Sequence, residues 1–179
     1  MGRFAVAVGL AALLLSDAGR AAPAPLTAAP TVIVMEMAKG TIEIELFDAD
    51  APKSVAQILD LTKKSFYRGQ RIHRVEKGLV QFGDPGSRDV SKKAYWGSGG
   101  SGKPIGVAEF SKKHLNVRGA VGLAHSGTPQ YADSQLYILK APSPSLDGKH
   151  VVVGQVIKGM EVVDKLAVLD VIKNFSIRP

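Results

Sequence analysis

The sequence predicts a mainly β fold, a closed eight-stranded antiparallel β-barrel capped by two α-helices. Three observations carry this expectation. About eight short runs have strand character, several of them rich in β-branched residues. Only two stretches suit a helix, one of them with a clear apolar stripe. The strands lack the regular alternation with helices that βαβ units require.

Thr31 to Met37 (TVIVMEM) reads as a strand, Ala38-Lys39-Gly40 as a turn. Thr41 to Leu46 alternates polar and apolar residues, the pattern of a half-buried strand, so 31–47 is expected to form a β-hairpin. Asp48 or Asp50 is placed to cap a helix, with Pro52 near its first turn. Val55, Ile58, Leu59 and Thr62 then define one apolar stripe on a helix over roughly 51–64. Gln70 to Val75 and Leu79 to Phe82 are short strands, and Asp84 to Lys113 is a long loop rich in Gly, Ser and Lys. Ala120 to Ala124, Ser134 to Leu139 and Val151 to Val156 are further strands, with a turn at Leu146 to Lys149. Lys158-Gly159 leads into a helix over Met160 to Leu169, and Val171 to Ile177 supplies the last strand.

The N-terminus differs in character. Arg3 precedes an uncharged apolar run of 12 residues, Phe4 to Leu15, followed by small residues. That run is too short to span a bilayer, which takes about 20 apolar residues, and it fits a secretory signal peptide over residues 1–24. Small residues suit cleavage after Ala18, Ala21 or Ala24. An Ala/Pro linker, 25–30, leads into a single folded domain, 31–179. The protein is thus expected to be exported, periplasmic or secreted, without stable membrane association after cleavage.

The 179 residues carry a formal net charge of +7 and no cysteine. The missing cysteine excludes disulfides, thiol catalysis and thiolate metal sites. The charge survives removal of residues 1–18, because Arg3 and Asp17 cancel. Its lysines come as scattered pairs (Lys63-Lys64, Lys92-Lys93, Lys112-Lys113), a solvated surface rather than a nucleic-acid footprint. Gly97 to Pro104 (GSGGSGKP) matches a phosphate loop up to its last position, where Pro104 replaces the hydroxyl residue that holds magnesium. His73, His114, His125 and His150 show no metal-ligand spacing, and Ser126 and Ser134 lack a nucleophile elbow. Arg74, in the apolar frame Ile72-His73-Arg74-Val75, is either a salt-bridged structural residue or a functional donor.

The surroundings of Arg74 bear on that choice. Phe66-Tyr67, Ile72-His73-Arg74-Val75, Gly83-Asp84, Gly97 to Gly102, Glu109-Phe110, Gly119 to Ala124, Ser134 to Ile138 and Leu146 to Val152 together resemble the cyclophilin family of peptidyl-prolyl cis–trans isomerases. The resemblance covers about residues 31–170. It implies an eight-stranded barrel with two helices, a monomer, and catalysis of X–Pro rotation in unfolded or flexible polypeptides. Rotation about that amide faces a barrier of ~18–20 kcal/mol. A useful acceleration lowers it by only ~3–7 kcal/mol, so no metal or cofactor is required.

By resemblance, Arg74 is the catalytic donor, and Gln81 bonds the substrate and steadies Arg74. Leu79, Val80, Tyr137 and Leu146 line the proline pocket. Ala124 and His125 meet the peptide backbone, Gln135 lies beside them, and His150 closes one wall. The chain departs from the family pattern in six places, among them Tyr137, where Phe or Leu is usual, and Gly127 to Ala132, about one residue longer than expected. Leu79 stands where phenylalanine is usual, and the approach to Gln81 is one residue short. His125 replaces an asparagine, and Ser145 replaces a tryptophan many members carry. A non-catalytic binding module or holdase for Pro-containing segments, and a secreted structural or adhesive domain with no site, are the alternative readings.

Overall fold

The computed structural model describes residues 1–2 and 29–179. Most of the expected signal segment, its cleavage positions and residues 25–28 of the linker lie outside the described residues. Ordered strand begins with β1 (Val32–Met37), joined by Ala38-Lys39 to β2 (Gly40–Leu46). The pair is antiparallel, Val32 facing Glu45 and Met37 facing Gly40. On β2 the apolar Ile42, Ile44 and Leu46 are buried while the intervening residues are not, as strand period demands. Gly40 has φ +138°, and a Cβ there would come within 2.7 Å of Val162 Cγ2. Glycine is therefore required by both conformation and space.

Helix α1 (Pro52–Lys63) buries Ser54, Val55, Ile58, Leu61 and Thr62. Neither expected aspartate caps it. Asp48 accepts a hydrogen bond from Thr31 Oγ1, and Asp50 pairs with Lys113 and His114. The capping carboxylate is Glu109, which accepts from the main-chain N–H of Lys53 at 3.0 Å and Ser54 at 2.8 Å. An anion there satisfies orphan donors and meets the positive end of the helix.

β3 (Arg74–Val75) and β4 (Leu79–Phe82) form a short hairpin. β5 (Ala120–Leu123), β6 (Leu136–Leu139), β7 (Val152–Lys158), α2 (Met160–Lys165) and β8 (Ile172–Ile177) complete the chain. All eight strands lie in one antiparallel sheet, ordered β3-β4-β6-β5-β7-β2-β1-β8. The expected eight strands and two helices are present among the described residues. Closure, however, is not a continuous ladder: the sheet curls between edge strands β3 and β8. Main-chain bonds of 69–72 to 169–172 span the gap, among them Gly69 N–H to Ile172 O and Ile72 N–H to Asp170 O. This bridging accounts for two differences from the sequence reading. The expected strand 70–75 joins the sheet only at Arg74, and the helix from Met160 stops at Lys165 because the chain beyond it turns back to bond 69–72.

Inside the curl sits a core that includes Ile33, Met35, Ile42, Val80, Phe82, Ile138 and Phe175. A smaller apolar cluster lies on the outer face, with Ala120, Tyr137, Leu139 and Val152 packed against Phe47, Leu79, Ala124 and Leu146. That outer cluster is the foundation of the site.

Candidate active site

Strand geometry assembles the site. β4 pairs with β3 so that Arg74 faces Gln81, and with β6 so that Gln81 faces Tyr137. β5 then places Gly122 opposite Tyr137. Residues directly opposite across a ladder share a face, so Arg74, Gln81 and Tyr137 project together. They enter an outer-face cavity of about 800 Å³ lined also by Leu79, Ala124, His125, Gln135, Leu146 and His150. Nine of the ten site residues expected from sequence meet there.

Val80 is the exception and is corrected here. It lies between Leu79 and Gln81 on β4, so its side chain points the other way, into the barrel core, with no exposure. It cannot line the groove without inverting the strand.

The cavity has a polar edge and an apolar floor. On the edge, Arg74 Nη1 donates to Gln81 Oε1 at 2.9 Å. Gln81 Nε2 donates to Gln135 Oε1 at 2.8 Å, and Gln135 Nε2 donates to the carbonyls of Gly97 and Gly99 at 2.8 and 2.7 Å. This relay runs from the arginine to the Gly-rich loop, and Gln81 within it is buried. Glu76 takes Arg74 from the solvent side, at 2.8 Å from Nε and 2.6 Å from Nη2. Three of the five guanidinium N–H donors are thereby engaged, and two have no acceptor among the described residues.

On the floor, Gly122 makes room for Tyr137. A Cβ at 122 would fall 2.8 Å from Tyr137 Cε1 and closer still to Cζ and the hydroxyl. The hydroxyl is buried and donates to Asn116 Oδ1 at 2.6 Å. Asn116 is itself held by Asp147 Oδ1, through its main-chain N–H at 2.7 Å and its Nδ2 at 2.9 Å. Burial pushes the Tyr137 hydroxyl well above the ordinary phenol range, so it stays protonated. His125 and His150 stack with centroids 4.1 Å apart, and His150 meets Tyr137 edge-on at 5.8 Å. His150 Nδ1–H donates to Leu123 O, and His125 Nε2–H to Lys149 O. Burial holds the His150 pKa below the usual 6.5 against the opposing hydrogen bond to Leu123. His150 is thus a neutral, apolar-faced wall at pH 7.

The Gly-rich loop is shaped by two carboxylates. Asp84 accepts from the N–H of Gly86, Gly97 and Gly99, and Asp133 from those of Gly102 and Lys103. The N–H groups of Gly97, Gly99, Gly102 and Lys103 thus point at carboxylates of the protein itself, and two negative charges sit where a phosphate loop would hold an anion. Ser134 donates to Gly83 O at 2.8 Å in a buried structural bond, with no histidine partner. Sequence reasoning missed Asn116, which carries no motif, and Tyr131, Asp133 and Ser126, which line the cavity from the loop before β6.

A curled antiparallel sheet with two helices and an arginine-edged apolar groove on its outer face defines a protein that holds a small apolar ring beside fixed donors. Comparison with known proteins is specific on this point. The family model for cyclophilin type peptidyl-prolyl cis-trans isomerase/CLD matches residues 32–178. A Brucella suis biovar 1 protein, by name a probable peptidyl-prolyl cis-trans isomerase, is 37% identical over 164 residues, spanning 89% of this chain and 83% of the relative. A cyclophilin type isomerase from Cryptosporidium parvum has the same fold, with TM-score 0.73 at 23% identity over 84% of this chain and 99% of that one. A second structure of it, in the presence of the dipeptide Ala-Pro, gives TM-score 0.71 at 24% identity over 83% and 99%. The chain belongs to the cyclophilin type peptidyl-prolyl cis–trans isomerase family.

Proposed function

We propose that the groove accelerates cis–trans rotation of X–Pro bonds in unfolded or flexible polypeptides, and that the protein does so as a monomer outside the cytoplasm. The observation that carries the reading is the juxtaposition of two unengaged Arg74 N–H donors with the apolar floor of Leu79, Tyr137, Leu146 and His150. A planar amide is polar because resonance separates charge. Twisting it removes that resonance and localises a lone pair on the proline nitrogen. The apolar floor takes the pyrrolidine ring and favours the less polar twisted state. An arginine donor aimed at the nitrogen strengthens as the lone pair forms, so it stabilises the transition state more than the ground state. Gln81 and Gln135 fix the guanidinium so that little reorganisation accompanies the twist. No covalent bond is made or broken.

Export is supported by the N-terminal pattern of Arg3, the apolar run to Leu15 and the small residues after it. A folding helper that needs no ATP suits such a compartment. The test is refolding of a client whose slow phase is limited by proline isomerisation, with the protein and with Arg74→Ala. Acceleration by the wild type and not by the variant supports the isomerase. Equal protection of an aggregating client by both proteins, without acceleration by either, supports a holdase instead. The mass of the exported N-terminus reports cleavage and its position.

A further inference from the structure

A second cavity, about 560 Å³, adjoins the first and is lined by His73, Arg74, Gln81, Ala94, Tyr95, Trp96, Gly97 and Ser98. It shares Arg74, Gln81, Gly97 and Ser98 with the main groove, so a chain seated in one continues into the other. Three rings distinguish it. Tyr95 is 75% exposed although large aromatics are seldom left so open on a surface. Trp96 is anchored by its Nε1–H to Asp89 O at 3.1 Å, which fixes the indole within the wall. The imidazole of His73 has both nitrogens sealed from solvent and, among the described residues, without a hydrogen-bond partner. Burial lowers its pKa, which favours the neutral ring. The 3-10 segment Val90–Tyr95 holds this wall, and the loop shaped by Asp84 sets its distance from Arg74.

We infer that this cavity is a specificity subsite that takes an aromatic side chain flanking the proline of the bound polypeptide. Ring-on-ring contact with Tyr95 and Trp96, beside the face of the Arg74 guanidinium, is the chemistry on offer. A small aliphatic side chain lacks the ring face that this contact needs. The inference rests on the isomerase reading of the main groove, and it makes Tyr95 a specificity residue for that reaction.

Trp96 is the only tryptophan of the chain, so its emission reports the subsite directly. Host peptides with one Ala-Pro bond in an Ala/Gly/Ser background carry a single phenylalanine, moved through successive positions on each side of the proline. Each is titrated against the full chain while Trp96 emission is recorded, and its X–Pro relaxation is measured separately. At one position the phenylalanine is expected to tighten binding about 5-fold, roughly 1 kcal/mol, with a change in Trp96 emission. Tyr95→Ala is expected to remove that preference. Affinity indifferent to the position of the phenylalanine, or a preference that survives Tyr95→Ala, overturns the subsite. Accelerated relaxation of all peptides alike refutes the subsite and leaves the isomerase. A phenylalanine preference without any acceleration supports the subsite and refutes the isomerase.

Discussion

Gly122→Ala changes no groove-facing functional group, yet it attacks the site from beneath. The added Cβ would sit 2.8 Å from Tyr137 Cε1, with Cζ and the hydroxyl nearer. Favourable carbon–carbon contact begins near 3.5 Å, so the ring must rise by roughly 1 Å from the sheet. It cannot slide along its own axis, because Asn116 grips the hydroxyl and Asp147 grips Asn116. The remaining direction is outward, towards the groove floor that it shares with Leu79 and Leu146. Overpacking of this kind costs about 1–3 kcal/mol, which for a domain of this size lowers Tm by roughly 2–4 °C per kcal/mol. A misplacement of about 1 Å in a binding surface can reduce turnover up to about 100-fold. The assay is thermal unfolding together with kcat/KM on an X–Pro peptide, for Gly122→Ala, Tyr137→Leu and the double variant. Leucine lacks the clashing Cζ and hydroxyl, so the double variant is expected to be more stable than the sum of the two single effects. Wild-type Tm and activity in Gly122→Ala, or strict additivity in the double variant, would refute the packing argument.

Two further expectations concern stability. Glu109→Ala removes the carboxylate that caps α1 from outside the helix, and is expected to cost about 1–2 kcal/mol by urea unfolding, whereas Asp48→Ala leaves the helix end intact. His73 and His150 both have folded pKa values held below 6.5, chiefly by burial. The unfolded chain therefore binds protons first. Stability is full above pH 6.5 and is lost as pH falls from there through the folded values. The slope of Tm against pH between about 7 and 5 should be shallower in His73→Phe; an unchanged slope would remove His73 from this role.

What the sequence made legible was local. The hairpin of β1 and β2 could be read because Thr41 to Leu46 carries its own alternation, and α1 because its stripe repeats within one helix. What escaped depends on distant partners. The cap of α1 comes from Glu109, 55 residues beyond Ser54, so the adjacent aspartates were the natural but incorrect candidates. The end of α2 and the gap between β3 and β8 both follow from the bonds of 69–72 to 169–172, which no local pattern announces. In the site, Arg74, Gln81 and Gln135 were legible through their motifs, and the structure shows them linked in one relay. Val80 is separated from Leu79 and Gln81 by strand period alone, which turns it to the core whatever the family resemblance implies. Asn116 was invisible because its role is to hold Tyr137, and nothing in its neighbourhood marks it.

In the proposed mechanism Arg74 donates to the amide nitrogen as it twists. Relaxation of a single X–Pro peptide, followed by NMR exchange with the wild type and with Arg74→Ala, addresses it directly. The ion pair of Arg74 with Glu76 is half exposed and its loss costs at most about 1 kcal/mol, while the buried Gln81 Oε1 left without its donor adds about 1–3 kcal/mol, so thermal unfolding of the variant is measured alongside to show that it is folded. In Arg74→Ala kcat/KM is expected to fall by about 10²–10³, the usual effect of deleting one preorganised donor. A folded Arg74→Ala that turns the peptide over at the wild-type rate would contradict it.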